Sequence, residues 1–297
     1  VVEVVRLTER PALENALLIA AFAGWNDAAE VATTAVRFLI QQWQARRFAE
    51  IDPEPFYVFT ETRPHVRLVG GVYRQLVWPA NEFYYQTPPR VRRDLVLLVG
   101  IEPHLRWRDF AQAVLTVARQ CQVTTVVLFG GLLAAVPHTR PVRVTGSATT
   151  PDLRERLRAL GVETSRYEGP TGIVGVLNDA CRRAGIPALS CWGNVPHYLS
   201  ATPNPRVALA LLQRLDRLFH LAIETAELAH LADRFDEKVS EAVRRNPEVS
   251  AYLRDLEAQA STAEPPADQP TGEESSLFRE IEQLLRREQD DEGPSTA

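Results

Sequence analysis

Short, mostly apolar runs alternate with longer stretches of helical period along most of this chain. Residues 17–23 (LLIAAFA), 94–100 (DLVLLVG), 124–129 (TTVVLF) and 188–192 (ALSCW) have the length of strands and carry no polar alternation. That is the pattern of strands buried on both faces. Helical periodicity fills the intervals: from Asp27 to about Gln44, and over 105–120 with Phe110, Val114 and Val117 on one face. A short helix is opened by Thr150-Pro151-Asp152 and closed by Gly161, and another follows the turn 168–172 and stops at Gly185. Proline at a first helical position and glycine just past a last one mark such boundaries. Strand, polar turn, helix, repeated, predicts an α/β fold around a parallel sheet.

Two stretches depart from this pattern. Between residues 56 and 85 the chain predicts an inserted β-hairpin, its arms 66–69 and 72–77 joined by Gly70-Gly71, with a further strand over 56–61. Arg63, His65, Arg67 and Arg74 on this insertion suit an anionic partner and equally a solvated strand face, and the second reading is favoured. From Asn204-Pro205 to about Ala258 only helical patterns occur, read as two to three helices packing on the core as a lid. Residues 261–275, rich in Pro and acid, predict a flexible linker. One amphipathic helix over 276–289 is expected to follow it. The expected organisation is a core over 1–202 with its insertion, a lid over 203–260, the linker, and a tail over 276–297.

Composition narrows the class. With 297 residues, 45% apolar and 24% charged, the chain has the balance of a soluble globular protein. No run approaches the length of a membrane-spanning helix, and the early Glu3, Arg6 and Glu9 do not fit a signal peptide. Cys121, Cys181 and Cys191 are widely spaced and fit reduced, buried thiols, so a cytoplasmic location is expected. A net charge of −5 with scattered basic residues argues against a nucleic-acid partner.

Candidate chemistry gathers after the four apolar strands. In a parallel sheet their C-terminal ends share one edge, where open α/β folds bind ligands. The loops there carry Trp25, Asn26 and Asp27; Glu102, His104 and Arg106; His138, Thr139 and Arg140; and His197 and Tyr198. Glu168 and Thr171 precede a helix on the same side. Asp27 with Glu30 resembles a capping box, and the same turn exposes amides suited to an anion; both readings stand. His104, His138 and His197 each follow a proline, which stiffens the loop and fixes the imidazole. His138 and His197 are the candidates for acid–base work, with an arginine for an anionic substrate. No metal is expected, because no local pair such as HxxxH is present. No cofactor is implied, since there is neither a P-loop nor a dinucleotide fingerprint, and no GxSxG elbow marks a serine nucleophile.

Several longer stretches carry a family resemblance: AFAGWNDA at 21–28, RPHVRL at 63–68, GIEPHLRWRDF at 100–110 and LLAAVPHTRPV at 132–142. YEGPTGIVGVLNDACRRAGIP at 167–187, WGNVPHYL at 192–199 and PNP at 203–205 extend it. With them the chain resembles the bacterial, high-GC branch of the proteasome assembly chaperone two family. The resemblance implies a three-layer α/β/α sandwich with a mostly parallel sheet, like that of nucleoside phosphorylases. It also implies a hairpin insertion, a C-terminal helical segment over a ligand site, and homo-oligomers such as trimers. It supplies no catalytic residues, so the candidates above rest on the strand-end argument. Two functions follow as expectations. One is a site for a small anionic or nucleoside-like ligand under the helical lid. The other is an assembly chaperone or adaptor acting through its surface and acidic C-terminal tail, on a protein partner.

Overall fold

A computed structural model describes residues 4–89 and 91–260, and in these the chain runs through eleven strands and seven α-helices. In order they are β1 (Val5–Leu7), β2 (Ala16–Ala23), α1 (Val31–Gln42), β3 (Arg46–Ile51), β4 (His65–Val69), β5 (Tyr73–Val77), β6 (Asn81–Gln86) and β7 (Leu95–Ile101). Then come α2 (Trp107–Gln120), β8 (Val123–Ala134), β9 (Val144–Ala148), α3 (Pro151–Ala159), β10 (Glu163–Thr164), α4 (Ile173–Arg183) and β11 (Ala188–Pro196). The helices α5 (Pro205–Phe219), α6 (Ala226–Arg245) and α7 (Pro247–Ala260) end the described part. The linker and tail helix expected beyond residue 260 lie outside the described residues.

Nine strands form one mixed sheet in the order β1-β3-β6-β7-β2-β8-β11-β9-β10, and β4 pairs only with β5. The four apolar strands are its parallel centre: β2 pairs in parallel with β7 and β8, and β8 with β11. They occupy the middle because only there are both faces covered, which is what an unbroken apolar run needs. Alternation along β2 sorts the two cores. Leu17, Ile19 and Ala21 pack with Val36 and Leu39 of α1 and Leu211 and Leu215 of α5. Leu18, Ala20 and Phe22 pack with Phe110 and Val114 of α2 and Leu177 and Cys181 of α4. The result is the α/β/α sandwich. A third, smaller cluster joins Tyr198 and Leu199 to Val239 and Val243 of α6 and Val249 and Leu256 of α7. Those two helices thereby rest on the turn that follows β11. Helix α5 lies with the sheet instead, so the covering part of the C-terminal segment begins at α6.

Several boundaries differ from the sequence reading. Residues 56–61 form turns, not a strand, and Phe56 is buried edge-on against Phe110 at 5.3 Å. The span 56–85 also contains β6, a full member of the main sheet, so the true insertion is the β4–β5 hairpin alone. Its turn is three residues long, Gly70 to Val72, with Gly70 and Gly71 at φ of 60° and 71°. Strands β8 and β11 continue past Gly130 and Gly193, the glycines at which the sequence pattern ends them. These glycines make room: a Cβ on Gly130 would lie 2.3 Å from the Trp192 ring, and one on Gly193 would lie 2.3 Å from Val207.

Candidate functional site

The parallel centre brings the C-terminal ends of β2, β7, β8 and β11 to one edge, but the candidate residues there divide into separate groups. Asn26, Asp27 and Glu102 form the first. Asn26 is fully buried, and its Nδ2 donates to Glu102 Oε1 at 2.6 Å. The same oxygen accepts the Ile173 amide at the start of α4, at 2.7 Å. A Cβ on Gly172 would stand 2.3 Å from Asn26 Oδ1, so the three segments meet with no space for a side chain. The Asp27 carboxylate accepts the Ala32 amide at 2.7 Å, the Thr33 amide at 3.3 Å and the Thr33 hydroxyl. Burial raises its pKa above the ordinary carboxylate value, while the bonds from Thr33 and Ala32 oppose that shift.

This geometry is not the capping box expected from Asp27 and Glu30. A 3-10 turn, Ala28–Glu30, intervenes, so Asp27 reaches amides five and six residues ahead. Glu30 sits in the left-handed conformation at the head of α1 and faces Arg37 at 3.9 Å. Amides that an anion would need at the start of α1 are already taken by Asp27. The backbone completes this latch, with Gly131 donating to the Asn26 carbonyl at 2.8 Å. Trp25 stands outside it and is 60% exposed.

His104 and Arg106 lie beyond the end of β7. His104 Nδ1 accepts the Val58 amide at 2.9 Å, and its Nε2 lies 3.3 Å from the Thr62 hydroxyl, so this ring holds the 56–62 turns. Arg106 is exposed and pairs with Asp109 at 2.8 Å. Glu168 and Thr171 are exposed on the turn before α4.

The remaining candidates cluster under α7. The His138 amide donates to the Tyr198 hydroxyl at 2.8 Å, and His138 Nδ1 lies 2.9 Å from that hydroxyl. The hydroxyl accepts from the amide, so its own proton goes to Nδ1 and the ring proton of neutral His138 sits on Nε2. By the same bookkeeping His197 donates from Nδ1 to the Ala134 carbonyl at 3.1 Å and accepts from Tyr252 at Nε2, 3.0 Å away. Thr139 donates to Glu257 of α7. Both nitrogens of His197 are thus engaged in seating α7, whereas His138 Nε2 is buried without a partner.

Burial lowers the pKa of His138, and Glu257 opposes this. A histidine depressed in the folded state binds its proton less readily than in the unfolded chain. Stability from this group is therefore present above its unfolded pKa of about 6.5 and is lost as pH falls below it. The urea midpoint is expected to drop between about pH 7 and pH 5.5, and less in His138→Gln, because one such group has been removed.

His138 and Arg140 line a cavity of about 490 Å³ between the β8–β9 connection, α5 and the two covering helices. Two residues that the sequence reading did not select line it as well: Asn194 of β11 and Arg214 of α5. Asn194 lies beyond Trp192, where the sequence pattern ends the strand, and only the continuation of β11 to Pro196 brings it to the cavity. Arg214 lies among apolar positions of α5, between Leu211 and Leu215, and that placement was the available signal. Among the described residues no group of three His, Cys, Asp or Glu could hold a metal ion. All three cysteines are buried free thiols. No described helix is long and apolar enough to cross a membrane.

A second surface lies toward the other end of the sheet. Hairpin β4–β5 is exposed on both faces apart from half-buried Val69. Seven of the twelve large apolar side chains exposed among the described residues lie between Val66 and Trp78. On one face Val66 pairs with Leu76 and Leu68 with Arg74, and Val72 at the tip is 86% exposed.

Comparison with known proteins places this geometry. No curated protein matches the chain. A PAC2 family protein from Streptomyces avermitilis is 44% identical, with a TM-score of 0.73, over 80% of this chain and 99% of that one. A proteasome-assembly chaperone homologue from Mycobacterium tuberculosis is 43% identical with the same TM-score and the same shares. An archaeal proteasome activator from Pyrococcus furiosus shares the fold at 22% identity and a TM-score of 0.64, over 80% of this chain and 97% of that one. The PAC2 family model matches residues 21–243, which run from β2 through α6, and the chain belongs to the PAC2 family.

Proposed function

We propose that this protein is an assembly chaperone that holds a proteasome subunit on hairpin β4–β5. The observation that carries the reading is the hairpin itself. An isolated two-stranded hairpin is marginal in water, and large contiguous apolar exposure marks an interaction site. Here Val66, Leu68 and Leu76 line one face and nothing in the described chain covers it. The choice of partner rests on the 43%-identical relative described as a proteasome-assembly chaperone homologue. Arg63, Arg67 and Arg74 around the apolar residues suit a partner surface that is apolar with an acidic rim.

The test is capture of separately expressed proteasome α and β subunits by the full chain and by a Leu68→Asp/Leu76→Asp variant. Both positions are exposed, so the variant is expected to keep the wild-type melting temperature to within about 2 °C. Subunit affinity is expected to fall by about a hundredfold, as for loss of two central apolar contacts. If the variant captures subunits as the wild type does, the hairpin is not the docking surface. If only its own oligomeric mass changes in light scattering, the hairpin joins copies of this chain instead.

A further inference from the structure

The cavity beneath α6 and α7 lies away from the hairpin, and its lining is unusual in one respect. His138, Asn194 and Arg214 each carry a buried polar atom without a hydrogen-bond partner: Nε2, Oδ1 and Nε. Such atoms are rare in native interiors, because each costs about 1–3 kcal/mol. Three of them around one cavity indicate groups held ready for an occupant. Asn194 is only 8% exposed, and its amide can present either its oxygen or its nitrogen.

Charge identifies the occupant. Arg143 is committed to Glu163, with Nε at 2.7 Å, and Arg206 to Asp236 at 2.7 Å and to Asp233. Arg143 is thereby neutralised and Arg206 is outweighed by its two aspartates, so neither is left to attract an anion. Arg214 has no carboxylate within 4.0 Å among the described residues. Its Nη1 and Nη2 donate to the Ala210 and Val142 carbonyls, each at 3.0 Å, which fixes the plane of the guanidinium. A half-buried guanidinium, clamped by carbonyls and lacking a counter-ion, is suited to an incoming anion. His138, with its ring proton on Nε2, adds a donor. Val136, Pro137, Val142 and Phe235 supply apolar wall for a compact organic body.

We infer that this cavity binds a small organic anion, a carboxylate or a phosphate monoester, with Arg214 as its charge partner and His138 and Asn194 as hydrogen-bonding partners. A volume of about 490 Å³ falls in the range of small-molecule sites, about 300–1,000 Å³. The three unpartnered atoms are shut from solvent as the cavity stands, so small rotations of His138 and Asn194 open the way to the fixed Arg214 guanidinium. Phe235 and Asp236 of α6 and Gln259 of α7 close the outer side, so occupancy ties the covering helices to the sheet. This inference does not depend on the hairpin reading.

The experiment is thermal shift and calorimetry of the full chain with inorganic phosphate, ribose 5-phosphate, AMP, succinate and benzoate. At least one is expected to raise the melting temperature by several degrees at a hundredfold excess over its dissociation constant. Arg214→Met is expected to abolish the shift, and Asn194→Ala to weaken binding about tenfold with the fold intact. Should Arg214→Met fail to fold, Asn194→Ala decides. Hydrogen exchange in α6 and α7 is expected to slow on binding. No shift with any probe, or a shift unchanged in Asn194→Ala, overturns the inference. The Leu68→Asp/Leu76→Asp variant keeps the shift, which separates this site from chaperone activity.

Discussion

Gly131→Val is expected to cost about 4 kcal/mol, more than an ordinary overpacked core substitution. Gly131 lies late in β8, where the strand passes the turn that leads from β2 into α1. Its Cβ would sit 2.5 Å from Val31 Cγ2 and 2.8 Å from the Ala28 carbonyl oxygen. The first neighbour is a branched side chain buried in the core, and the second is backbone, so neither can swing away. Moving them apart also stretches the bond from the Gly131 amide to the Asn26 carbonyl. Typical domains are stable by about 5–15 kcal/mol, so the variant loses a large share of its margin. The urea midpoint reads the effect. Gly161→Ala is the control: no atom lies within 4 Å of its Cβ, but φ is +71°, so only the backbone penalty of about 1–2 kcal/mol is expected. Equal losses in the two variants would show that crowding at β8 is not the cause.

Asp27→Ala is expected to cost about 3 kcal/mol. The carboxylate satisfies the Ala32 and Thr33 amides and the Thr33 hydroxyl at the head of α1, in a site 7% exposed. Hydrogen bonds to a charged acceptor are worth about 1.5–3 kcal/mol, and deleting the acceptor leaves buried donors unpaired. Part of that worth is already spent on burying the charge, as the raised pKa records, which keeps the net loss below the sum of the bonds. Asp27→Asn retains one acceptor oxygen and is expected to lose less than half as much. Equal midpoints for wild type and Asp27→Ala would mean that the latch at the sheet edge does not hold α1.

These two residues illustrate what the sequence makes legible. Asp27 was visible as a capping residue from its place between an apolar run and a helical pattern. Its actual partners, five and six residues ahead, depend on a 3-10 turn that leaves no mark in local spacing. Helices α3 and α5 were readable at their starts for the same local reason. Thr150 accepts the Leu153 amide at 3.4 Å and Asn204 the Val207 amide at 3.1 Å, each just before a proline.

Glycine misled. Gly130 and Gly193 read as strand ends, whereas each lets a neighbour approach closely: the Trp192 ring in one case, Val207 in the other. That reason is tertiary and could not be read from the strand itself. Strands β3 and β6 were missed because each is covered on one face and charged on the other. Phe48 and Phe83 turn inward, at 6.2 Å from ring to ring, while Arg47 meets Glu82 at 3.0 Å outside. Their pairing joins residues far apart in sequence, and neither run has the unbroken apolar character that betrayed the sheet centre.

The candidate residues divided along the same line. Asp27, Glu102 and His104, after β2 and β7, are taken up by local bonds, as is Nδ2 of Asn26, although Oδ1 of Asn26 is left without a partner. His138 reaches the cavity through the stiff Pro137-His138 step that the sequence displayed. Arg214 comes from a helix expected to be part of a lid, and only the packing of α5 against β11 brings it to the same cavity.

The central claim concerns the hairpin, and hydrogen–deuterium exchange on the full chain with and without proteasome subunits tests it directly. The account predicts fast exchange across 65–77 in the free protein and strong protection of that segment on addition of a subunit, with β2 and β7 unchanged. Protection confined to other segments, or none at saturating subunit, would contradict it.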